Sequence, residues 1–241
     1  MTATFPSAFS LTLTVYQACR APDFRGRSGA GMALHYNRKV SQLLPLFPLD
    51  SVLLPGVQLP LHIFEPRYKE MIAECLAGKK PFGVVRAKPD EGIAETGCTA
   101  EIVEVGKRYE DGRMDILTLG RRRFEIIEVN HERSFLQADV LYVDDEEAAP
   151  APEERRQALE LYEQVLGALG SDSEADPEAT LLSYQLAGSL PIDLDFKQAL
   201  LGIRSETERL AGLIDFFEAI LPKLKAAAHR RDKAGGNGHV L

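Results

Sequence analysis

The sequence has no apolar run near the roughly 18 residues that a helix needs to cross a bilayer. We therefore expect no membrane-spanning helix. Cysteine is also scarce, because the 241 residues contain only Cys19, Cys75 and Cys98, with no C-x-x-C pair. An odd number of isolated thiols is typical of reduced cysteines in a cytoplasm. These two absences predict a cytoplasmic protein without structural disulfides.

Basic residues are in the minority. The chain has 28 Lys and Arg against 36 Asp and Glu, which gives a formal net charge of −8 at pH 7. Nucleic acids and anionic membranes are bound mainly through basic patches, so this balance disfavours both as the main partner. Hydrophobic residues make up 45% of the chain, enough for a full core in one domain or two small ones.

Catalytic and metal-binding motifs are missing as well. The sequence contains neither a G-x-x-x-x-G-K-[ST] phosphate loop nor a G-x-S-x-G nucleophile elbow. Its five histidines lie far apart, and none has the spacing of a metal site. His62 falls on an apolar segment, where a hydrogen bond within the fold is the simplest role. We therefore expect no enzymatic activity, no metal and no cofactor.

Residues 44–68 are apolar but contain a proline every few positions. Because proline breaks helices, this pattern predicts two short strands at 43–49 and 58–64. The Leu54-Pro55-Gly56 sequence between them is typical of a tight turn. Glu65 and Pro66 then favour a helix start, since proline is tolerated at the first helical position.

In the next segment the periodicity of the apolar residues changes from that of a helix to that of strands. Apolar residues spaced as on one helix face predict a helix at 68–78 with Gly78 as its left-handed cap. Apolar runs and an Asp-Gly turn at 111–112 then predict several strands with both faces apolar. Such strands favour a closed or semi-closed barrel covered by a second layer. The predicted strands are 82–87, 99–105, 114–119, 124–129 and 135–143.

A change of composition follows the last predicted strand. Residues 144–154 contain six carboxylates and two prolines, which predicts a solvated linker with no ligand. Beyond it, amphipathic spacing predicts helices at 158–169, from Asp176-Pro177, at 193–201, and from a capping box of Ser205 and Glu208. Four such helices favour a bundle, and the pattern is lost over 226–241.

The first 42 residues fit this architecture least well. Residues 9–15 alternate as in a strand, whereas 25–31 are small, polar and glycine-rich. No basic region precedes the apolar residues, which disfavours a signal peptide. We expect Met32 to be the true start and residues 1–31 to be an upstream extension.

Motifs along residues 43–225 carry a family resemblance. They are Pro45-Leu46-Phe47-Pro48-Leu49, Val52-Leu53-Leu54-Pro55-Gly56, Leu59-Pro60-Leu61-His62-Ile63-Phe64-Glu65-Pro66-Arg67-Tyr68, segments 97–105 and 112–120, and Arg121-Arg122-Arg123-Phe124. In this order they resemble the amino-terminal substrate-binding domain of Lon proteases, which is also present in cereblon. The resemblance implies an α+β fold, in which a PUA-like β-barrel with one short helix precedes a C-terminal four-helix bundle.

The predicted domain organisation follows from the resemblance and the composition. Residues 43–145 are expected to form the barrel, 146–154 the acidic linker and 155–225 the bundle. The flanking residues, 1–42 and 226–241, are expected to be a disordered or non-native extension and a disordered tail.

The resemblance also implies a function. It predicts a stand-alone module that binds unfolded or exposed polypeptide segments, without ATPase or protease domains, and that is linked to protein quality control or to a protease. Leu53, Leu54 and Pro55, in the turn of the opening unit, are the candidate peptide-binding residues. Core packing is the competing role for each of them.

Two charged groups leave alternatives open. Arg121, Arg122 and Arg123 form one basic cluster, and PUA-like folds also bind RNA, so an RNA-binding role through this cluster is the alternative function. Strand alternation would place at most two of these arginines on one surface. Glu65 and Arg67 suggest either a structural ion pair at the strand-to-helix junction or a general acid with an anion clamp. The ion pair requires fewer assumptions.

Overall fold

The computed structural model describes residues 43–88 and 91–235. The predictions made for residues 1–42, including Met32 as the start, lie outside these residues. The described part is an α+β structure, as predicted. Its elements in chain order are β1 (Leu44–Leu49), β2 (Gln58–Ile63), α1 (Pro66–Gly78), β3 (Phe82–Lys88), β4 (Gly92–Ile93), β5 (Thr96–Arg108), β6 (Met114–Asn130), β7 (Gln137–Val143), α2 (Pro152–Leu169), α3 (Leu182–Ser189), α4 (Leu194–Gly202) and α5 (Glu206–Gly235).

The strands form one connected sheet whose pairings return to their starting point. The order β1-β7-β6-β5-β3 is closed by a parallel pairing between β1 and β3, whereas the other neighbours in this circuit are antiparallel. Strand β2 lies off the circuit and pairs with β6, and β4 pairs with β3. Closing the circuit leaves fewer unpaired strand edges.

Strand β6 is longer than the sequence suggested. It is one strand of 17 residues, whereas we predicted two strands, at 114–119 and 124–129. The chain passes through Gly120 without turning, because Gly120 is held on both sides by main-chain hydrogen bonds. Gly56 N donates to Gly120 O at 2.9 Å, and Gly120 N donates to Val57 O at 2.9 Å.

The turn between β1 and β2 is docked into the molecule. Leu53 and Leu54 are 2% and 1% exposed, and Pro55 is also buried. Helix α3 covers this turn closely, since a Cβ added to Gly188 would lie 2.4 Å from Val57 Cγ2. The three residues predicted to bind peptides therefore lie in the core, and their side chains are not available at the surface.

Helix α1 begins at Pro66, as predicted, but its left-handed cap lies one residue later than expected. Lys79, not Gly78, adopts the left-handed conformation, with φ 48°. The last turn closes when Lys80 N donates to Cys75 O at 3.0 Å, which places the left-handed position at residue 79. The apolar face of the helix packs into the core through Tyr68, Met71, Ile72 and Cys75.

The helical region is not an up-and-down bundle of four similar helices. Gln157 pairs with Glu218, and Lys225 pairs with Gln164, with the same separation of 61 residues in both pairs. Because both partners advance together along the chain, α2 and α5 run parallel. The two helices between them, α3 and α4, have only 8 and 9 residues. The region thus contains the predicted number of helices, but their arrangement as one long parallel pair with two short helices does not confirm a four-helix bundle.

The predicted helix start at Asp176-Pro177 was wrong. The Asp176 side chain accepts a hydrogen bond from Glu178 N at 3.0 Å, which favours a local turn over a helix. Arg155 Nη2 also donates to the carbonyl oxygens of Pro177 and Ala179, at 2.6 and 2.9 Å. These carbonyls point at Arg155, and helix α3 begins only at Leu182.

The last helix also differs from its predicted end. Helix α5 contains Pro222 and continues to Gly235, whereas we expected the ordered region to stop at 225. Residues 223–228 consist of lysine, leucine and alanine, which are strong helix formers. At its other end, Ser205 Oγ accepts from Glu208 N at 3.3 Å, which is the predicted cap.

The sheet and the helices share one hydrophobic core. A single cluster of buried residues includes Phe47 of β1 and Met71 of α1 together with Leu186 of α3 and Phe217 of α5. A smaller cluster forms between the strands, and its buried members are Leu44, Leu46, Val85, Phe124 and Ala138. The predicted barrel and helical units are therefore not separate cores.

A buried ionic network joins the same two parts. Arg209 of α5 is 0% exposed and donates to Asp145 Oδ2 at 2.6 Å and to Glu206 Oε2 at 2.7 Å. Ser183 of α3 donates to Glu206 Oε2 at 2.6 Å. Arg123 of β6 donates to the same Asp145. The acidic segment after β7 was predicted to be solvated, but Asp145 is held by two buried arginines.

We predict that replacing Gly120 by alanine destabilises the fold, because the added Cβ would lie 2.1 Å from Leu54 O. The expected loss in the free energy of unfolding is about 3 kcal/mol, as for an overpacked site where the main chain must move. Urea denaturation measures it. Gly167→Ala is the matched control, since nothing lies within 4 Å of that position in α2. A helical glycine replaced by alanine should gain roughly 0.5–1 kcal/mol. Equal effects at the two positions would contradict the close approach of Gly120 to the Leu54 carbonyl.

We predict that Arg209→Gln lowers the free energy of unfolding by about 3–5 kcal/mol, because it leaves the buried Glu206 carboxylate without its cation and Asp145 with Arg123 alone. The control is Arg156→Gln, since Arg156 forms an exposed pair with Glu160 at 3.8 Å. That change should cost less than about 0.5 kcal/mol. Urea denaturation followed by circular dichroism compares the two variants. A cost at Arg209 as small as that at Arg156 would show that the network is not required for stability.

Candidate functional site

An open groove lies between the end of helix α1 and strands β5, β6 and β7. Its volume is about 590 Å³. One wall comes from the last turn of α1 and the residues that lead into β3, and the other comes from the three strands. The groove is lined by Cys75, Leu76, Lys79, Lys80, Pro81, Thr99, Glu101, Ile102, Arg121, Arg122 and Tyr142.

A β-bulge shapes the strand wall of this groove. Cys98 pairs with Arg123 and Ala100 with Gly120, so the single residue Thr99 lies opposite two residues of β6. The Thr99 hydroxyl accepts from Arg122 N at 2.9 Å and donates to Arg122 O at 3.2 Å. The bulge interrupts the alternation of side chains along the strand. The neighbouring Arg121 and Arg122 are consequently both exposed on the groove side.

This arrangement differs from the predicted one. Regular alternation would have placed Arg121 and Arg123 on one side of β6 and Arg122 on the other. In the structure Arg123 is 3% exposed and points into the helical side of the molecule. There it donates to the carbonyl oxygens of Leu201 and Ile203, both at 2.9 Å. Arg123 is therefore a structural anchor, and only two of the three arginines face the groove.

The two exposed arginines already have partners. Arg121 Nε lies 2.5 Å from Glu101 Oε2, and Arg122 Nη2 lies 2.9 Å from Asp144 Oδ1. The Arg122 guanidinium also lies 4.4 Å from the centroid of the Tyr142 ring. With Arg123 buried, the compact cluster of three arginines on which RNA binding would depend is not present at the surface, so RNA binding through this triplet is not supported.

The apolar part of the groove comes from three elements. Leu76 of α1 and Ile102 of β5 are partly buried and pack on the main core. Tyr142 of β7 is 40% exposed. Because these side chains are only partly buried, a bound molecule could contact them without rearrangement of the fold.

A second surface lies around the end of β2. His62 Nδ1 and Asp115 Oδ1 are 2.6 Å apart, and Tyr109 Oη donates to Asp115 Oδ2 at 3.0 Å. The hydrogen bond from His62 is the main cause of the lowered pKa of Asp115. Phe64, which is 58% exposed, stacks on His62 with ring centroids 6.1 Å apart. His62 does form the predicted hydrogen bond, although its side chain is partly exposed.

The residues at the strand-to-helix junction form a local pair. Arg67 Nε donates to Glu65 Oε2 at 2.9 Å, and both side chains are substantially exposed. The Arg67 guanidinium also lies 4.6 Å from the centroid of the Tyr68 ring. These contacts fit a structural pair at the start of α1, which is where the sequence placed it.

The groove was not predicted from the sequence. The adjacent Lys79 and Lys80 at the predicted helix end were a signal that could have been used. The contribution of Ile102 and Tyr142 had no local signal, because it depends on which strands are neighbours.

The described residues offer neither a metal centre nor a membrane span. Among residues 43–88 and 91–235, no group of three or more His, Cys, Asp or Glu side chains could hold a metal ion. None of the helices in this described part combines the length and the hydropathy required of a membrane span.

Comparisons with known proteins give a consistent picture. The family model of the ATP-dependent protease La (LON) substrate-binding domain matches residues 43–218. A Lon protease of Flavobacterium johnsoniae is 27% identical over 209 residues, which are 78% of this chain and 25% of that protein. Cereblon of Danio rerio is 29% identical over 148 residues, which are 58% of this chain and 33% of cereblon. The chain thus spans about a quarter to a third of the length of these relatives.

Solved structures show the same likeness. The crystal structure of a Lon N-terminal domain protein from Xanthomonas campestris has a TM-score of 0.60 and 27% identity, and the match covers 72% of this chain and 98% of that one. The N-terminal domain of a Mycobacterium avium complex Lon protease has a TM-score of 0.55 at 20% identity, covering 73% and 98%. The second likeness is one of fold alone.

We predict that the groove thiol is chemically inert in the native protein. Burial raises the pKa of Cys75 to about 11 and that of Cys98 to about 12. At pH 8 only about one Cys75 in a thousand would be the reactive thiolate. Iodoacetamide at pH 8 should therefore leave both cysteines unmodified in the folded protein and alkylate both in urea, as measured by peptide mass spectrometry. Rapid native alkylation of Cys75 would contradict the burial.

Proposed function

We propose that this chain, which belongs to the family of Lon substrate-binding domains, binds exposed apolar segments of other polypeptides. The family match agrees with the resemblance inferred from the sequence. The matched unit is the substrate-binding part of the protease, and it is neither the protease domain nor the ATPase domain.

The groove beside α1 is the proposed binding site. The observation that supports it is the exposed ring of Tyr142 next to the partly buried side chains of Leu76 and Ile102. Covering a leucine- or phenylalanine-sized side chain contributes about 1.5–3 kcal/mol. Two or three such side chains would give weak, reversible binding after the cost of ordering the partner chain. Weak binding suits a module that must capture and release different polypeptides.

The edge of β2 is a second place where a polypeptide could add. In the described part of the chain β2 pairs with β6 alone, so its other edge is open to strand addition. Pro60 lies in the middle of β2 and has no N–H to donate, which limits the pairing available there. The groove is therefore the better candidate.

The proposed role is binding without chemical conversion, linked to proteolysis by a partner. The 241 residues contain no phosphate loop that could supply energy for unfolding. A polypeptide bound in the groove would therefore be held and passed on. The relatives named Lon protease suggest a protease as the receiving partner, and we extend this to the present chain as part of the proposal.

The test is binding to a permanently unfolded model protein whose cysteines are blocked with a neutral reagent. Fluorescence anisotropy should show saturable binding to this protein and none to its folded form. Tyr142→Ala should weaken the binding about five- to tenfold, since loss of a central aromatic contact costs somewhat more than 1 kcal/mol.

Phe64→Ala is the matched control, because Phe64 is an exposed aromatic residue outside the groove. It should leave the affinity unchanged. An effect at Phe64 without an effect at Tyr142 would move the site to the end of β2. No binding of any unfolded protein at about 100 µM would contradict the proposed function itself.

A further inference from the structure

The charge of the groove is opposite to that of the chain. The whole chain has a formal net charge of −8. Among the described residues that line the groove, in contrast, four are cationic and one, Glu101, is a carboxylate. Lys79 and Lys80 come from the end of α1, and Arg121 and Arg122 come from the bulge of β6. The positive side chains therefore approach the groove from two separate elements.

Resting on the proposed function, we propose that the groove selects polypeptide segments in which an apolar side chain is flanked by carboxylates. The apolar residue would contact Tyr142, Ile102 and Leu76, as proposed above. The carboxylates would lie against the lysine pair on one side and the arginine pair on the other. This assigns a substrate class to the site: acidic segments with an apolar centre.

The lysines are available for such a contact. Within the described residues, neither Lys79 nor Lys80 forms an ion pair with a carboxylate. Both side chains are exposed. Their main chain is fixed, since Lys79 N donates to Leu76 O and Lys80 N to Cys75 O. The two ammonium groups are thus exposed charges, with no carboxylate partner among the described residues, on a hydrogen-bonded turn.

The arginines can exchange partners at low cost. Arg121 and Glu101 are both 52% exposed, and Arg122 and Asp144 are 53% and 79% exposed. Exposed pairs of this kind contribute little to stability. A carboxylate from a bound polypeptide can replace Glu101 or Asp144 and give the arginine an equivalent partner. The buried Arg123 is excluded from this exchange by its contacts with the helices.

The geometry favours a polypeptide over a nucleic acid. Single-stranded nucleic acids are held mainly by stacking of bases on aromatic rings. The aromatic residue of the groove is Tyr142, and the Arg122 guanidinium already covers one face of its ring at 4.4 Å. At most one face of this ring is left for a base to stack on, whereas a carboxylate can bind beside the guanidinium.

The test uses three labelled peptides with the same leucine-phenylalanine centre, flanked by aspartate and glutamate, by asparagine and glutamine, or by lysine. Fluorescence anisotropy at low salt should show the acidic peptide binding about tenfold more tightly than the neutral one, and the basic peptide more weakly still. This preference should disappear at roughly 0.5 M salt, where exposed charges are screened.

The variant Lys79→Glu with Lys80→Glu should weaken binding of the acidic peptide about tenfold and strengthen binding of the basic one. The matched control, Lys223→Glu with Lys225→Glu, changes the net charge equally on α5 and should keep the preference for acidic peptides. A Lys79→Gln, Lys80→Gln variant with an unchanged circular dichroism spectrum should give an intermediate loss, which separates charge from misfolding.

The outcomes distinguish the selectivity from the proposed function. Equal binding of all three peptides would overturn the selectivity and leave polypeptide binding in place. Binding of none would overturn both. A loss in the α5 control as large as in the groove variant would show a general charge effect and overturn the assignment to the groove. Displacement of the acidic peptide by a single-stranded oligonucleotide at lower concentration than by unlabelled peptide would overturn selection of polypeptides.

Discussion

The structure depends on one buried ionic network, in which Asp145 is shared by Arg123 and Arg209. Buried charges are costly to remove from water, and such a network is tolerated only when every member has partners. Here Glu206 and the Ser183 hydroxyl complete the set, and the Arg209 guanidinium lies 4.2 Å from the centroid of the Tyr184 ring. The network joins a strand, the segment after the last strand and two helices. It therefore fixes how the helices lie on the sheet.

The same constraint positions the candidate site. Four consecutive residues of β6 make these contacts. Gly120 forms hydrogen bonds with the turn between the first two strands, Arg121 and Arg122 lie in the bulge at the groove, and Arg123 binds Asp145 of the network. Because these residues follow one another on one strand, the groove arginines are held between two fixed points. A rigid support for exposed, weakly paired charges is the property that a reversible binding site requires.

The chemistry available at the groove is that of binding. Its thiol has a raised pKa, and its cations are paired with exposed carboxylates or face solvent. In the proposed function, apolar contact would supply affinity, whereas the charges would bias which partner is accepted and how fast it associates. One arginine triplet therefore has two roles. Arg123 belongs to the internal network that stabilises the fold, and Arg121 and Arg122 form exchangeable pairs at the groove.

Much of the local structure could be predicted from the amino-acid sequence alone. Proline spacing predicted β1 and β2, and Pro66 predicted the start of α1. The Asp-Gly turn predicted the β5 to β6 hairpin, and the amphipathic run at 158–169 predicted the end of α2 at Leu169. Each of these depends on the conformations of neighbouring residues. The sequence also carried the family resemblance. The folded arrangement was needed to show that Leu53, Leu54 and Pro55 are buried, that Asp145 pairs with two arginines, and that α2 and α5 run parallel. It also showed that a bulge turns Arg121 and Arg122 to the same side. The physical reason is that these features depend on contacts between residues far apart in the chain, whereas periodicity and turn chemistry report only on neighbours.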